Sequence, residues 1–182
     1  MMWLVTAAEA TVILKRYIPL SQCPTNLVTT LDTLGPVDSS NLTPAFVVGS
    51  LLFIMAGTIR LQCYRALGRF FTFKLCVRKE HQLVTAGPYS IVRHPGYTGT
   101  LICVVGAYAM HGTPGSWLRL SGVLDISWVR GLAIAWCMIT TVVSVTLLER
   151  TSGEDKILAE KFGREWENWA SRVRYRLIPG VY

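Results

Sequence analysis

The chain has 182 residues, 51% of them hydrophobic and only 16% charged, and it carries a formal net charge of +7. A soluble domain of this size usually carries about 25% charged residues. With a positive mean hydropathy and long uncharged runs, the composition points to an integral membrane protein. The excess of positive charge is not a nucleic-acid signature, because the basic residues cluster beside apolar segments, as at a membrane face with anionic lipid. The five cysteines (Cys23, Cys63, Cys76, Cys103 and Cys137) are odd in number and include no CxxC pair. Neither a disulfide framework nor a zinc site is supported.

In chain order, 1–14 is apolar and ends at Lys15-Arg16. As a helix it rises only ~21 Å, short of a ~30 Å hydrocarbon core. It reads as a short or partial first span: either it lies at the interface, or the chain lacks an N-terminal piece. It lacks the basic start of a cleavable signal peptide. Residues 17–42 are punctuated by Pro19, Pro24, Gly35 and Pro36 and read as a loop. Residues 43–59 carry no charge and read as a span that stops at Arg60.

From Arg60 to Arg93 there are seven Lys/Arg residues against one acid, Glu80, which places this segment on the cytosolic side by the positive-inside rule. Within it 67–73, LGRFFTF, is aromatic and basic and suits a chain lying along the interface. Residues 96–114 form the next expected span, with His111 as its one titratable group of uncertain charge. That histidine stands alone in the pattern and reads as structural. Residues 115–130 make the connection on the opposite side, flanked by Trp117 and Trp128 as interfacial anchors. Residues 131–148 are an uncharged run, ~27 Å as a helix, that exits at Glu149 and Arg150. The tail from Glu154 to Val173 sets Leu158, Phe162, Trp166, Trp169 and Val173 at helical spacing. This predicts one amphipathic helix that lies over the loop before it. The same pattern is met by an ordinary surface helix packed on its neighbours.

The chain is organised around 83–100, LVTAGPYSIVRHPGYTGT. Gly87, Gly96, Gly99, Pro88 and Pro95 break any long helix or strand there, and Tyr89, Arg93, His94 and Tyr97 sit between them. Pro95 suits the first turn of a helix, which puts His94 at an N-terminus that favours an anion such as a carboxylate. Two readings stand side by side: a built pocket at the membrane edge, or a surface turn whose Arg93 and His94 face head groups. Arg150 and Glu154 are four apart and share a helical face. Arg150 either grips a carboxylate on a lipidic ligand or snorkels to the head groups. The stretch leading into the loop, HQLVTAG, is either a plain connector or an extended segment that holds a flat polar ligand by its backbone. No Ser/His/Asp ordering, HExxH, P-loop or GxGxxG is present.

LGRFFTF, then HQLVTAGPYSIVRHPGYTG, then two apolar helices, then ERTSGED with FG and two tryptophans, resembles the isoprenylcysteine carboxyl methyltransferases over roughly residues 67–179. A bare RHP is less specific, since phospholipid methyltransferases and some sterol reductases carry similar short stretches. The resemblance implies an all-α, polytopic membrane helical bundle, a single domain over 1–182 with a cytosolic cofactor pocket. It implies an enzyme of the endoplasmic reticulum membrane, multi-pass, with its active site facing the cytosol. It also implies S-adenosylmethionine as methyl donor and prenylated protein C-termini or prenylcysteine as acceptor, in contact with membrane lipids and without nucleic acid or metal.

On the residues that match, the cofactor would be held by His81, Gln82, Leu83, Val84, Tyr89, His94, Pro95, Gly96 and Tyr97. Arg150 and Glu154 would engage the substrate and form the catalytic pair. This chain departs from the family in a longer, more polar connection between the last two spans. Gly153 also stands within what is often an acidic run, leaving Glu154-Asp155. Three rivals remain: a methyltransferase acting on a phospholipid amine or isoprenoid acid, a nicotinamide-dependent membrane reductase, and a non-catalytic membrane scaffold.

Overall fold

A computed structural model describes residues 2–15, 43–68 and 82–182. All regular structure among them is helical, with no strand. The helices are α1 (Met2–Lys15), α2 (Pro44–Leu67), α3 (Pro95–Gly112), α4 (Trp117–Leu120), α5 (Ser127–Phe162) and α6 (Arg164–Arg172). Short 3-10 turns lie at Gly87–Ser90 and Val123–Asp125.

Two of these helices, α2 and α5, are long and apolar enough to cross a membrane. Their apolar side chains are not hidden. None of the apolar window of α5 is buried within the protein, and Ile134, Met138, Ile139 and Val142 stand open on its surface. On α2, Val48, Leu51 and Ile54 do the same. Each such side chain gains about 1.5–3 kcal/mol on leaving water, so these helices are built for a lipid surround and not for a soluble core. The expected spans 1–14 and 96–114 coincide with α1 and α3. Neither meets the same mark: α1 has 14 residues, and α3 carries Tyr97, Thr98, Thr100 and His111 among its apolar residues.

The described chain divides into two compact units. The first comprises 1–51 and 105–138. In it α1 packs on α4, around buried Val12, Ile13, Ala107 and Met110. A polar network ties the helices together. Glu9 is 3% exposed, and its Oε2 meets His111 Nδ1 at 3.0 Å while its Oε1 accepts the Trp117 backbone N–H at 3.2 Å. Thr6 Oγ1 lies 3.2 Å from His111 Nε2, and Ser116 Oγ donates to the His111 carbonyl. His111, alone in the sequence pattern, thus has a structural role with Glu9 as its partner. At Gly49 the helices approach so closely that a Cβ would meet the Gly106 carbonyl oxygen at 2.8 Å. Small residues at such crossings let backbones come together.

The second unit comprises 52–104 and 139–182. Here Gly99 takes the close-approach role, where a Cβ would lie 3.2 Å from the Ala56 carbonyl oxygen. The part of α5 beyond its apolar run continues without a break to Phe162, carrying Arg150, Glu154, Asp155 and Leu158. The single tail helix expected from Glu154 to Val173 is therefore corrected. Gly163 (φ 50°, ψ −122°) turns the chain between α5 and α6, a backbone setting natural to glycine. Trp169 is buried on the near side of α6, and its indole N–H donates to the Tyr89 carbonyl at 3.0 Å. After α6 the chain returns to the start of α3. Arg93 N–H donates to the Tyr175 carbonyl at 3.0 Å and His94 N–H to the Arg176 carbonyl at 2.8 Å. Thr98 Oγ1 donates to the Leu177 carbonyl at 2.7 Å, and Leu177 is almost wholly buried.

Candidate functional site

The residues singled out in the central loop and on α5 meet at one cavity of about 400 Å³ within the second unit. That volume lies in the range of small-molecule sites. Gln82, Leu83 and Val84 line it from a segment outside any helix, Tyr89 from the 3-10 turn, and His94, Gly96 and Tyr97 from the start of α3. Arg150 and Glu154 line it from α5. Pro95 is fully buried at the first turn of α3 and does not line the cavity. His81, like most of the LGRFFTF stretch, lies outside the described residues.

Local sequence explains how these groups are presented. Gly87 opens the 3-10 turn at φ +63°, and Pro88 follows in its first turn. Ser90 Oγ closes the turn by donating to the Gly87 carbonyl at 2.7 Å. Tyr89 is thereby pointed at the cavity wall, next to Cys63, and burial pushes its phenol pKa upward, so it is a neutral hydroxyl. Pro95 starts α3, and the His94 carbonyl accepts the Tyr97 and Thr98 N–H groups. His94 and Tyr97 stack with ring centroids 5.6 Å apart. Tyr97 donates to Glu154 Oε2 at 2.7 Å and also interacts with Arg150.

On α5 the cavity-lining residues are Val143, Leu147, Arg150, Glu154, Leu158 and Phe162. Steps of three and four place them on one helical face. That face passes from apolar Val143 and Leu147 to charged Arg150 and Glu154 and is apolar again at Leu158 and Phe162, so its first part matches an amphiphile laid along it.

Sequence reasoning leaves Asp155 as the remainder of an acidic run and gives it no site role. It is 4% exposed and does not line the cavity, yet it sits at the hub of the charges behind it. Its Oδ1 meets His94 Nε2 at 3.0 Å, and its Oδ2 meets Arg93 at 3.2 Å and Arg176 Nε at 3.0 Å. Asp155 lies beyond the apolar run 131–148. Burial acts to raise its pKa, but the hydrogen bond from His94 and the charges of Arg93 and Arg176 prevail and hold it below the usual carboxylate range. Arg176 also donates to Ser152 Oγ and to the Tyr182 hydroxyl, at 2.9 and 2.8 Å. In the sequence Arg60 marks the end of a span and the start of a basic segment, with no site role. It lines the cavity from α2 and donates to Thr100 Oγ1 at 2.6 Å and to the Tyr64 hydroxyl. Its place at the charged end of an apolar run, four residues before Tyr64, was the available signal.

A protein family described as phospholipid methyltransferase matches residues 44–130. A probable protein-S-isoprenylcysteine O-methyltransferase of Oryza sativa subsp. indica is 31% identical over 128 residues, 69% of this chain and 57% of the relative. Protein-S-isoprenylcysteine O-methyltransferase B of Arabidopsis thaliana is 32% identical over 127 residues, 69% of this chain and 55% of the relative. A Delta(14)-sterol reductase of Gibberella zeae is 30% identical over 121 residues, 58% of this chain but only 25% of the relative. The chain thus spans little more than half the length of the methyltransferases it matches. No solved structure gives a significant match. The chain is thus similar to the phospholipid methyltransferase family over 44–130 and to protein-S-isoprenylcysteine O-methyltransferases over 69% of its length.

Proposed function

We propose that this protein esterifies the α-carboxylate of a prenylated C-terminal cysteine with a methyl group from S-adenosylmethionine. The observation that carries the reading is the face of α5 that runs from Val143 and Leu147 to Arg150 and Glu154 along one cavity. A prenyl chain suits the apolar part, and a carboxylate suits the guanidinium that follows it.

The donor set fits S-adenosylmethionine. Glu154 and the rings of Tyr89 and Tyr97 suit a cation. Gln82–Val84 line the cavity outside any helix, where peptide groups are not consumed by a helical ladder and can hold a flat polar edge. When bound, the cofactor supplies an activated methyl group on a cationic sulfur. The residues of the chain have to bind, orient and exclude water. An α-carboxyl has a pKa of about 3.5, so the acceptor is already ionised at neutral pH and no general base is required. Arg150 orients that carboxylate without holding both oxygens so firmly that its nucleophilicity is lost. Tyr97, bonded to Glu154, keeps the opposite wall fixed. The low-dielectric site strengthens each of these interactions. Arg150 and Glu154 are the proposed catalytic and substrate-binding pair, Glu154 standing between acceptor and cofactor and serving the cation of the latter, with His94, Gly96, Tyr97, Tyr89 and 82–84 on the cofactor side.

The chain is proposed to act as a single polytopic bundle of the endoplasmic reticulum membrane, its cavity facing the cytosol. The support is the basic segment 60–93, which carries seven Lys/Arg residues and one acid.

The family match also favours a second reading, methylation of a phospholipid amine. An amine acceptor needs a base, and Asp155 is held by Arg93, His94 and Arg176, which leaves Glu154 to serve. An acceptor panel separates the readings: S-farnesylcysteine, its C-terminal amide, and phosphatidylethanolamine, each with the purified protein in lipid. Methylation of the free carboxylate alone is the expected result. Methylation of phosphatidylethanolamine in preference to it would overturn the proposal.

A further inference from the structure

Resting on the cofactor reading above, we propose that Asp155 is a positioning residue that fixes the His94 tautomer, so that His94 Nδ1 and the Glu154 carboxylate form a pair of acceptors for the α-ammonium of the bound donor.

The geometry leads there in three steps. Asp155 is an ionised carboxylate bonded to Arg93 and Arg176, and a carboxylate only accepts hydrogen bonds. His94 Nε2 lies 3.0 Å from its Oδ1, so Nε2 carries the proton. The other ring nitrogen, Nδ1, then faces Glu154 Oε2 at 3.8 Å. That distance is too long for a hydrogen bond. Two arginines already balance Asp155, so a third full charge on His94 is not called for.

Two lone-pair groups therefore face each other across the edge of the cavity, and both residues line it. The Tyr97 hydroxyl occupies part of Glu154 Oε2 but leaves acceptor capacity on the carboxylate. A primary ammonium, with three donors and a positive charge, satisfies both acceptors at once. Asp155 itself does not line the cavity and acts through His94.

The test has two parts. The ring nitrogens of uniformly 15N-histidine-labelled wild type are observed by NMR in detergent at neutral pH, with His94→Gln identifying the His94 signals. A neutral ring protonated on Nε2 is expected. A ring protonated on Nδ1, or on both nitrogens, would overturn the proposal without reference to any ligand. Binding of S-adenosylhomocysteine and of 5′-methylthioadenosine, which lacks the amino-acid group, is then compared in wild type and Asp155→Asn. The asparagine can present either oxygen or NH2 to the ring and no longer dictates the tautomer. A loss of roughly tenfold for S-adenosylhomocysteine is expected, the scale of one hydrogen bond to a charged group, with 5′-methylthioadenosine unchanged. Equal losses for both ligands would mark Asp155 as merely structural and overturn the proposal. Wild type that binds neither would instead overturn the cofactor reading and the ligand half of the proposal, with the tautomer still decided by NMR.

Discussion

Tyr97 and Glu154 are 57 residues apart, yet the tyrosine hydroxyl donates to Glu154 Oε2 at 2.7 Å. One comes from the first turn of α3, the other from α5 beyond its apolar run. With the contacts of Arg93 and His94 to Asp155, this bond links the loop that bears the GPYS and RHPGY residues directly to the helix that bears Arg150. Removing it with Tyr97→Phe keeps the ring stacked on His94 and deletes one donor to a charged acceptor. Such bonds are worth about 1.5–3 kcal/mol. A fall of roughly tenfold or more in kcat/KM is expected in a methyl-transfer assay, together with a melting temperature lowered by several degrees.

The C-terminal segment should be a fastening for α3. Leu177 is 1% exposed, and its carbonyl accepts from Thr98. Leu177→Ala removes a buried side chain at a typical cost of about 2–5 kcal/mol. Thermal unfolding in detergent should show the loss, and a variant as stable as wild type would show that the segment does not fasten the helix.

Acid should weaken the second unit through Asp155. Its pKa is lowered in the folded state, so its contribution is present above the unfolded carboxyl value of about 3.9 and is lost as pH falls through the lower folded value. Stability measured by chemical unfolding should therefore decline below about pH 4 in wild type. Asp155→Asn should be less stable at neutral pH and should decline less steeply in that window. Equal slopes for the two proteins would contradict the assignment.

Much of this arrangement was legible in the sequence, for physical reasons. Uncharged runs at 43–59 and 131–148 mark helices long and apolar enough to cross a membrane, and they correspond to parts of α2 and α5. Pro95 marks the start of α3 because proline is at home in a first helical turn. The four-residue spacing of Arg150 and Glu154 fixes their common face. What could not be read was pairing at long range. Nothing local joins Arg93 and His94 to the carbonyls of Tyr175 and Arg176, or Glu9 to His111. Asp155 looked like the remainder of an acidic run, and only the fold gives it His94, Arg93 and Arg176 as partners. The break at Gly163 was hidden because the apolar spacing runs through it, and periodicity does not report a positive φ.

Close packing of α2 on α3 should be sensitive to single methyl groups. A Cβ at Gly49 would lie 2.8 Å from the Gly106 carbonyl and 2.9 Å from Met110 Cβ. Gly49→Ala should cost about 1–3 kcal/mol by overpacking. Gly57→Ala, where a Cβ meets nothing within 4 Å, should be neutral or slightly stabilising. Comparing the two melting curves checks the crossing, and equal effects would contradict it.

The central claim is that the Arg150 cavity methylates a carboxylate on a lipidic acceptor. The most direct measurement is transfer of a labelled methyl group from S-adenosylmethionine to S-farnesylcysteine, in membranes containing wild type or Arg150→Ala. Wild type should give label in a base-labile ester, and Arg150→Ala should lose turnover while still binding the cofactor. Full activity in Arg150→Ala, or wild type that binds the cofactor and leaves the carboxylate unmethylated, would contradict the account.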